Sequence, residues 1–384
     1  MKKLLLLPVM FVLLMSANGC TREPPLHLYE GADVNIDFPN IDLALDVLWD
    51  YELTYGIEYD WQAEWYYGWD YTDLDIFGEI GYELPTVFYL RRYHTGSVPY
   101  APHTSVVSDV INGNSFQGHY NWGYWDMLVW NEVVPVDGVQ SLHFDEESTL
   151  EYITAFTNQG MRASPYNRAS GYSNSFYEPE ALFSAYEQAI EINENLDGFE
   201  YDEVRHVYVK KLNMQLLPIT YIYLTQIIIH NNKGRVVAVD GSADLSGMAR
   251  TTVLNDGKGG SDAITVGYKV RFKKNCDRDG EDVDIIGGRL MTFGICDLMA
   301  NRITKPEEVV DKHRHYMDVT MQFNNGKDST LVFDVSDQVR KRYKGGVITI
   351  ELDMDTVVVP NRSGGSGFDA VVVEPEEEIH EFEL

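Results

Sequence analysis

Apolar and polar residues alternate along this chain in short stretches. Ile41-Asp42-Leu43-Ala44-Leu45-Asp46-Val47 sets apolar residues against polar or small ones, and Thr86 to Tyr93, Gly123 to Asn131 and Val139 to Asp145 are further β-rich runs. Gly, Asn, Asp and Pro separate them, which predicts a sandwich of short strands rather than an α/β sheet. One stretch reads as a helix: over Glu180 to Asn195, Leu182, Tyr186, Ala189 and Ile190 fall on one face. A second set of strands is expected at Val207 to Leu217, Ile219 to His230, Arg235 to Val239, Ile264 to Phe272, Arg289 to Gly294, Tyr316 to Phe323 and Ser329 to Asp334. Ser336 is placed to cap a short helix over Gln338 to Tyr343, which Lys344-Gly345-Gly346 ends. Val347 to Val359 reads as a long strand closed by Pro360, and an acidic stretch runs from Glu374 to Glu383. The organisation expected is all-β, with two tandem sandwich domains at 32–200 and 201–384 and no sequence repeat between them.

The N-terminus follows a different pattern. Lys2 and Lys3 precede an almost wholly apolar run from Leu4 to Met15. That run is short for a bilayer span and has the form of a secretory signal. It leads into Ala17-Asn18-Gly19-Cys20, small residues before a cysteine. This is the arrangement a lipoprotein signal peptidase acts on, so residues 1–19 read as the signal and Cys20 as the lipid attachment point. Each buried acyl methylene contributes about 0.8 kcal/mol, so several chains on one residue hold a protein firmly on a membrane. Residues 20–31, with Pro24-Pro25, read as a tether between lipid and folded body.

Composition narrows the function classes. The chain of 384 residues carries a net charge of -30, and loss of Lys2 and Lys3 with the signal takes it to -32. A body this acidic repels nucleic acid and anionic headgroups, so a covalent anchor is what would keep it at a membrane. Beyond Cys20 there are two cysteines, Cys276 and Cys296. In an oxidising compartment they either pair, closing a loop of about 20 residues and contributing about 3 kcal/mol, or stay as core thiols.

Ten Trp or Tyr residues lie between Trp49 and Tyr71, among them Trp49, Trp61, Trp65 and Trp69. They form either an exposed platform that stacks on the rings of a glycan or the filling of a small core. Asp277, Asp279, Glu281, Asp282 and Asp284 surround Gly280, but the twelfth position of a calcium loop is Gly288, so the cluster reads as a solvated hairpin tip. His313 and His315 have no Cys or further His nearby at ligand spacing, and Glu307, Glu308 and Asp311 are either added ligands or flanking charges of a helical turn. There is no Gly-x-Ser-x-Gly elbow, and no Lys-Ser/Thr follows the glycines at 364–367. The reading is therefore non-enzymatic, with no cofactor.

Several segments carry a resemblance. They are Tyr124 to Asn131, Pro218-Ile219-Thr220-Tyr221-Ile222-Tyr223, Gly241 to Ala249 with its Leu-Ser-Gly-Met-Ala, Phe333 to Val339, and Gly345-Gly346-Val347-Ile348. With the lipid signal, they resemble the fimbrillin-superfamily anchor lipoproteins of Bacteroides-type bacteria, nearest an uncharacterised lipoprotein subgroup. The resemblance implies two transthyretin-like β-sandwich domains, lipid attachment at the outer membrane, and a role at the base of a pilus on the cell surface. It also implies fimbrial partners joined by donor-strand exchange, in which a strand of one subunit fills an open groove of the next. Cys20 is the residue to which the family assigns a definite role.

Overall fold

A computed structural model of the chain describes residues 39–48, 60–135, 140–145, 153–158, 175–193, 195–359 and 372–373. In chain order the elements are β1 (Asn40–Val47), α1 (Trp61–Glu64), α2 (Tyr71–Phe77), β2 (Val87–Gly96), β3 (Ser105–Asn112), β4 (Ser115–His119), β5 (Gly123–Asn131), β6 (Leu142–Asp145), β7 (Thr154–Thr157), β8 (Ser175–Phe176), β9 (Phe183–Ile192) and β10 (Glu200–Asp202). There follow β11 (Val207–Pro218), β12 (Tyr221–His230), β13 (Val236–Ala249), β14 (Thr251–Val253), β15 (Ala263–Arg278), β16 (Glu281–Thr292), β17 (Tyr316–Phe323), β18 (Asp328–Asp334), α3 (Ser336–Lys341), β19 (Gly346–Asp353) and β20 (Val372–Val373). The chain is all-β, as its sequence pattern predicts.

Two large curled sheets organise it. The first runs β3-β2-β5-β9-β11-β1-β4, with β10 added on β11. β1 and β11 pair in parallel, from Asn40↔Val209 to Val47↔Leu216. The inner faces of this sheet enclose Ile41, Leu43, Phe88, Leu90, Met127, Val129, Phe183 and Leu216. The second sheet runs β19-β12-β16-β15-β13-β17-β18-β20, with β8 added on β15. β15 is shared between its two halves: Ala263 to Lys269 pair with β13, while Val270 to Arg278 pair with β16. The core between those halves holds Tyr221, Ile227, Leu245, Val266, Leu290, Met317, Phe333 and Val339. A small sheet, β14-β7-β6, ties the two bodies together over Leu128, Trp130, Leu142, Leu182, Ala249 and Phe293.

The helix expected over Glu180 to Asn195 is a strand, β9. Phe183, Ile190 and Ile192 are buried, and between Glu187 and Ile190 the pairing with β5 slips by a residue. Ala189 takes a φ of 55 at that bulge. One inserted residue breaks the two-residue alternation, and the broken pattern imitates helical spacing. The helix expected over Gln338 to Tyr343 spans Ser336–Lys341, with Val335 at its N-cap and no side-chain cap bond. The Ser336 hydroxyl serves Asp334 and His315 instead: it donates to Asp334 Oδ1 at 2.5 Å and accepts from the His315 N–H at 2.9 Å. The long strand expected to Val359 ends at Asp353. No helix among the described residues is long and apolar enough to cross a membrane.

One buried group sets a pH dependence. Asp318 on β17 faces Asp244 on β13 across the ladder, and the Ser175 hydroxyl donates to Asp244. Asp318 is 4% exposed, and neither of its carboxyl oxygens has a hydrogen-bond partner. Burial, then the neighbouring Asp244, pushes this carboxyl up to about 8. In the unfolded chain it titrates at about 4. As pH rises from about 4 to about 8, the unfolded chain releases a proton that the fold retains, so stability falls across that window and levels off above it. Denaturant unfolding at a series of pH values should show this slope in the natural chain. Asp318→Asn should remove it and be the more stable protein at pH 8, and an unchanged slope would refute a buried neutral acid.

Candidate functional site: an open seam in the first sheet

β3 and β4 are consecutive in the chain yet stand at opposite ends of the first sheet. A turn at Gly113-Asn114 joins them, with Gly113 at a φ of 88 that favours glycine. The Gly113 N–H donates to Thr86 O at 2.7 Å, and the Leu45 N–H donates to Asn114 O at 2.8 Å. The turn thus closes the end of the sandwich, but no ladder joins β3 to β4. β3 pairs with β2 along its whole length, from Val87↔Asn112 to His94↔Ser105. Its other edge has no strand partner among the described residues. Such an edge turns the N–H and C=O of alternate residues outward.

The seam between the two strands opens into a cavity of about 490 Å³ lined by Arg92, Val107, His119, Tyr120, Asn121 and Trp125. Arg92 follows Phe88 and Leu90 on the inner face of β2, where alternation calls for an apolar residue. It is only 7% exposed. Its guanidinium bonds Asp109 on β3 at 2.8 Å and His119 O on β4 at 3.0 Å, so it stitches the seam. The same group lies over the rings of Phe116 and Tyr120, at 5.4 and 4.9 Å from their centroids. Burial holds the Tyr120 hydroxyl proton well above the usual phenol range, with the Arg92 charge opposing. Gly118 makes room for this arrangement, because a Cβ there would lie 3.1 Å from Arg92 Nη1 and 2.7 Å from the Phe116 ring. Val107 and Val110 on β3 are 39% and 56% exposed.

The residues singled out in the sequence lie elsewhere. Cys20 and Trp49 fall outside the described residues. Trp61, Trp65 and Trp69 belong to a segment laid across the outer face of β12, β16 and β19. Trp65 is 6% exposed and packs with Tyr67, Ile222, Leu224 and Met291, so it offers no ring face to a ligand. Trp61 is partly buried, and Trp69 lies against Phe77 at 5.3 Å between ring centroids. Gln226 clamps the segment: its Oε1 accepts from the N–H groups of Tyr66 and Tyr67 at 3.0 and 3.1 Å, and its Nε2 donates to Glu64 O at 2.7 Å. The Tyr67 ring lies where a side chain on Gly287 would stand, and its hydroxyl donates to buried Asp73 at 2.8 Å. Lys273 and Arg271 pair with that carboxylate.

Cys276 and Cys296 are free thiols, so the possible disulfide is not formed. Cys276 pairs with Val283 near the β15–β16 turn, and Cys296 follows the far end of β16. The nine residue-to-residue steps along the strand from Val283 to Thr292 alone separate them by roughly 30 Å, far outside disulfide range. Burial pushes the Cys296 thiol up to about 12, which leaves it unreactive. Asp277 and Asp284 serve the hairpin, accepting from the N–H groups of Gly280 and Asn275 at 2.7 and 2.9 Å. His315 is buried against Asp311 at 2.6 Å.

The Arg92 seam was not read from the sequence, although Phe88-x-Leu90-x-Arg92 carries its signal: a cation in phase with two core residues.

No family model matches the chain, and no curated protein matches it. Solved structures do. A candidate adhesin from Bacteroides ovatus aligns over 84% of this chain and 94% of its own, at 12% identity and a TM-score of 0.48. Another, from Bacteroides thetaiotaomicron, aligns over 83% and 93%, at 8% identity and a TM-score of 0.46. The fimbrial anchor protein Mfa2 from Porphyromonas gingivalis aligns over 82% and 90%, at 8% identity and a TM-score of 0.37. Adhesin and fimbrial proteins are thus among the structural neighbours of this chain.

Replacing Arg92 by Met would leave the Asp109 carboxylate and His119 O without their donor. The expected loss is about 2 kcal/mol of unfolding free energy. A denaturant midpoint equal to that of the natural protein would show that Arg92 does not hold the seam.

Proposed function

We propose that this chain is a non-enzymatic pilus subunit, held at the outer membrane by lipid on Cys20, that receives a β-strand from a neighbouring fimbrial subunit at the β3–β4 seam. It would thereby anchor or assemble the fibre and support adhesion. The observation that carries this reading is the outer edge of β3, eight residues long and without a strand partner among the described residues, with Val107 lining an open cavity. An incoming strand would satisfy the outward N–H and C=O groups of that edge, and the cavity would take its alternate side chains. Each new ladder bond contributes about 1 kcal/mol net, so a full-length strand adds enough to hold two subunits together. The motif resemblance supports the same reading, as does the acidic body, which needs a covalent anchor to stay at a membrane.

Val107→Lys places a second cation beside Arg92 at a position that is already partly exposed, so the fold should persist. Outer membranes carrying this variant should lose the heat-resistant ladder of the chain with its fimbrial partner on gel electrophoresis. An intact ladder would rule out the seam as the acceptor.

Cys20→Ser tests the anchor separately. The protein should move from the membrane pellet to the soluble fraction on cell fractionation, and retention in the pellet would contradict lipid attachment at Cys20.

A further inference from the structure

β9 and β11 pair at two positions only, Leu217↔Ser184 and Pro218↔Phe183, and then part. Their separation opens a second cavity, of about 400 Å³, at the junction of the two large sheets. We propose that this cleft binds a neutral saccharide. Four carboxamides line it from three separate segments: Asn213 and Gln215 on β11, Asn255 after β14, and Asn301 before β17. A carboxamide presents a donor and an acceptor side by side, which matches neighbouring hydroxyls on a sugar ring. Asn213 and Gln215, two apart on one strand, lie on the same face. Both are exposed, and neither side chain makes a hydrogen bond among the described residues. Asn301 is held in place by donating to Pro218 O at 3.0 Å. Leu217, 36% exposed, adds an apolar surface for the C–H face of a ring.

Two other ligand classes fit less well. For an anion, Glu187 and Asp256 set two carboxylates in the lining against the single cation of Arg302. For a β-strand, the β9 edge is broken: it carries the bulge at Ala189, whose N–H is already bonded to Asp126 Oδ1 at 2.8 Å. A polar cleft at the junction of two bodies, with convergent amides and a small apolar patch, is the form that small-molecule sites take. It is separate from the Trp65 segment and from the β3–β4 seam.

The test is calorimetric titration of the full chain with maltohexaose, cellohexaose, xylohexaose, mannohexaose and laminarihexaose. At least one should bind with a Kd below about 1 mM. The double change Asn213→Ala with Gln215→Ala, both at exposed positions, should weaken that binding by about tenfold or more with the melting temperature preserved. Val107→Lys should leave it unchanged. Failure of all five sugars to bind, or equal binding by the double variant, would overturn the saccharide site.

Discussion

A strand at the end of a sheet leaves backbone N–H and C=O groups without partners, and how each curled sheet disposes of its end strands governs this molecule. In the second sheet the chain itself meets each side in part. β18 pairs at Val332 and Phe333 with the two-residue end strand β20. β19 is met by Gln338, whose Nε2 donates to Thr349 O at 2.8 Å and whose Oε1 accepts from the Thr349 N–H at 2.9 Å. One side-chain amide thus reproduces a pair of ladder bonds, and the helix that carries it sends Val339 into the core. Among the described residues the first sheet has no equivalent at β3. Beyond the turn at Gly113-Asn114, its seam is bridged by the Arg92 guanidinium, and side-chain bonds of that kind can be exchanged for a backbone ladder without unmaking the core.

The same constraint explains the aromatic segment. The outer face of β12, β16 and β19 is apolar, with Ile222, Leu224, Ile228, Ile285 and Val347 buried on it. Left bare, it would be an exposed patch of the kind that draws association. Trp65 and Tyr67 cover it, and bare Gly287 lets the Tyr67 ring approach the sheet closely. The acids interleaved with these aromatics also have work within the fold. Asp73 receives the Tyr67 hydroxyl and the two cations, and Glu64 pairs with Arg342 at 2.7 Å. Fixing the segment at so many points suits a permanent cover rather than a surface that must stay open.

Much of the fold is legible in the sequence wherever alternation runs unbroken. β5 spans the expected Gly123 to Asn131, and β17 the expected Tyr316 to Phe323. Legibility fails where one residue changes the phase, as in β9, whose bulge turns a two-residue period into an apparent helix. It fails again where pairing depends on a third dimension. Cys276 and Cys296 are close in sequence, but a long hairpin carries them to opposite ends. The candidate site was hidden for a related reason. An unpaired edge is a property of the sheet order, and no local pattern in Ser105 to Asn112 records that β3 comes last in that order.

Charge then decides what can approach the open edge. The chain carries 60 acidic residues against 30 Lys and Arg, so two such bodies repel at long range. At physiological salt that repulsion decays over about 8 Å, whereas ladder bonds form between strands about 4.8 Å apart. Broad face-to-face packing would bring many carboxylates inside the screening distance. A single strand entering edge-on brings few, and it meets a seam where the Arg92 cation already offsets the Asp109 carboxylate. On the proposed reading, the acidic surface acts as a filter. It discourages side-by-side association of copies and leaves the narrow, hydrogen-bonded approach along β3 as the favourable one.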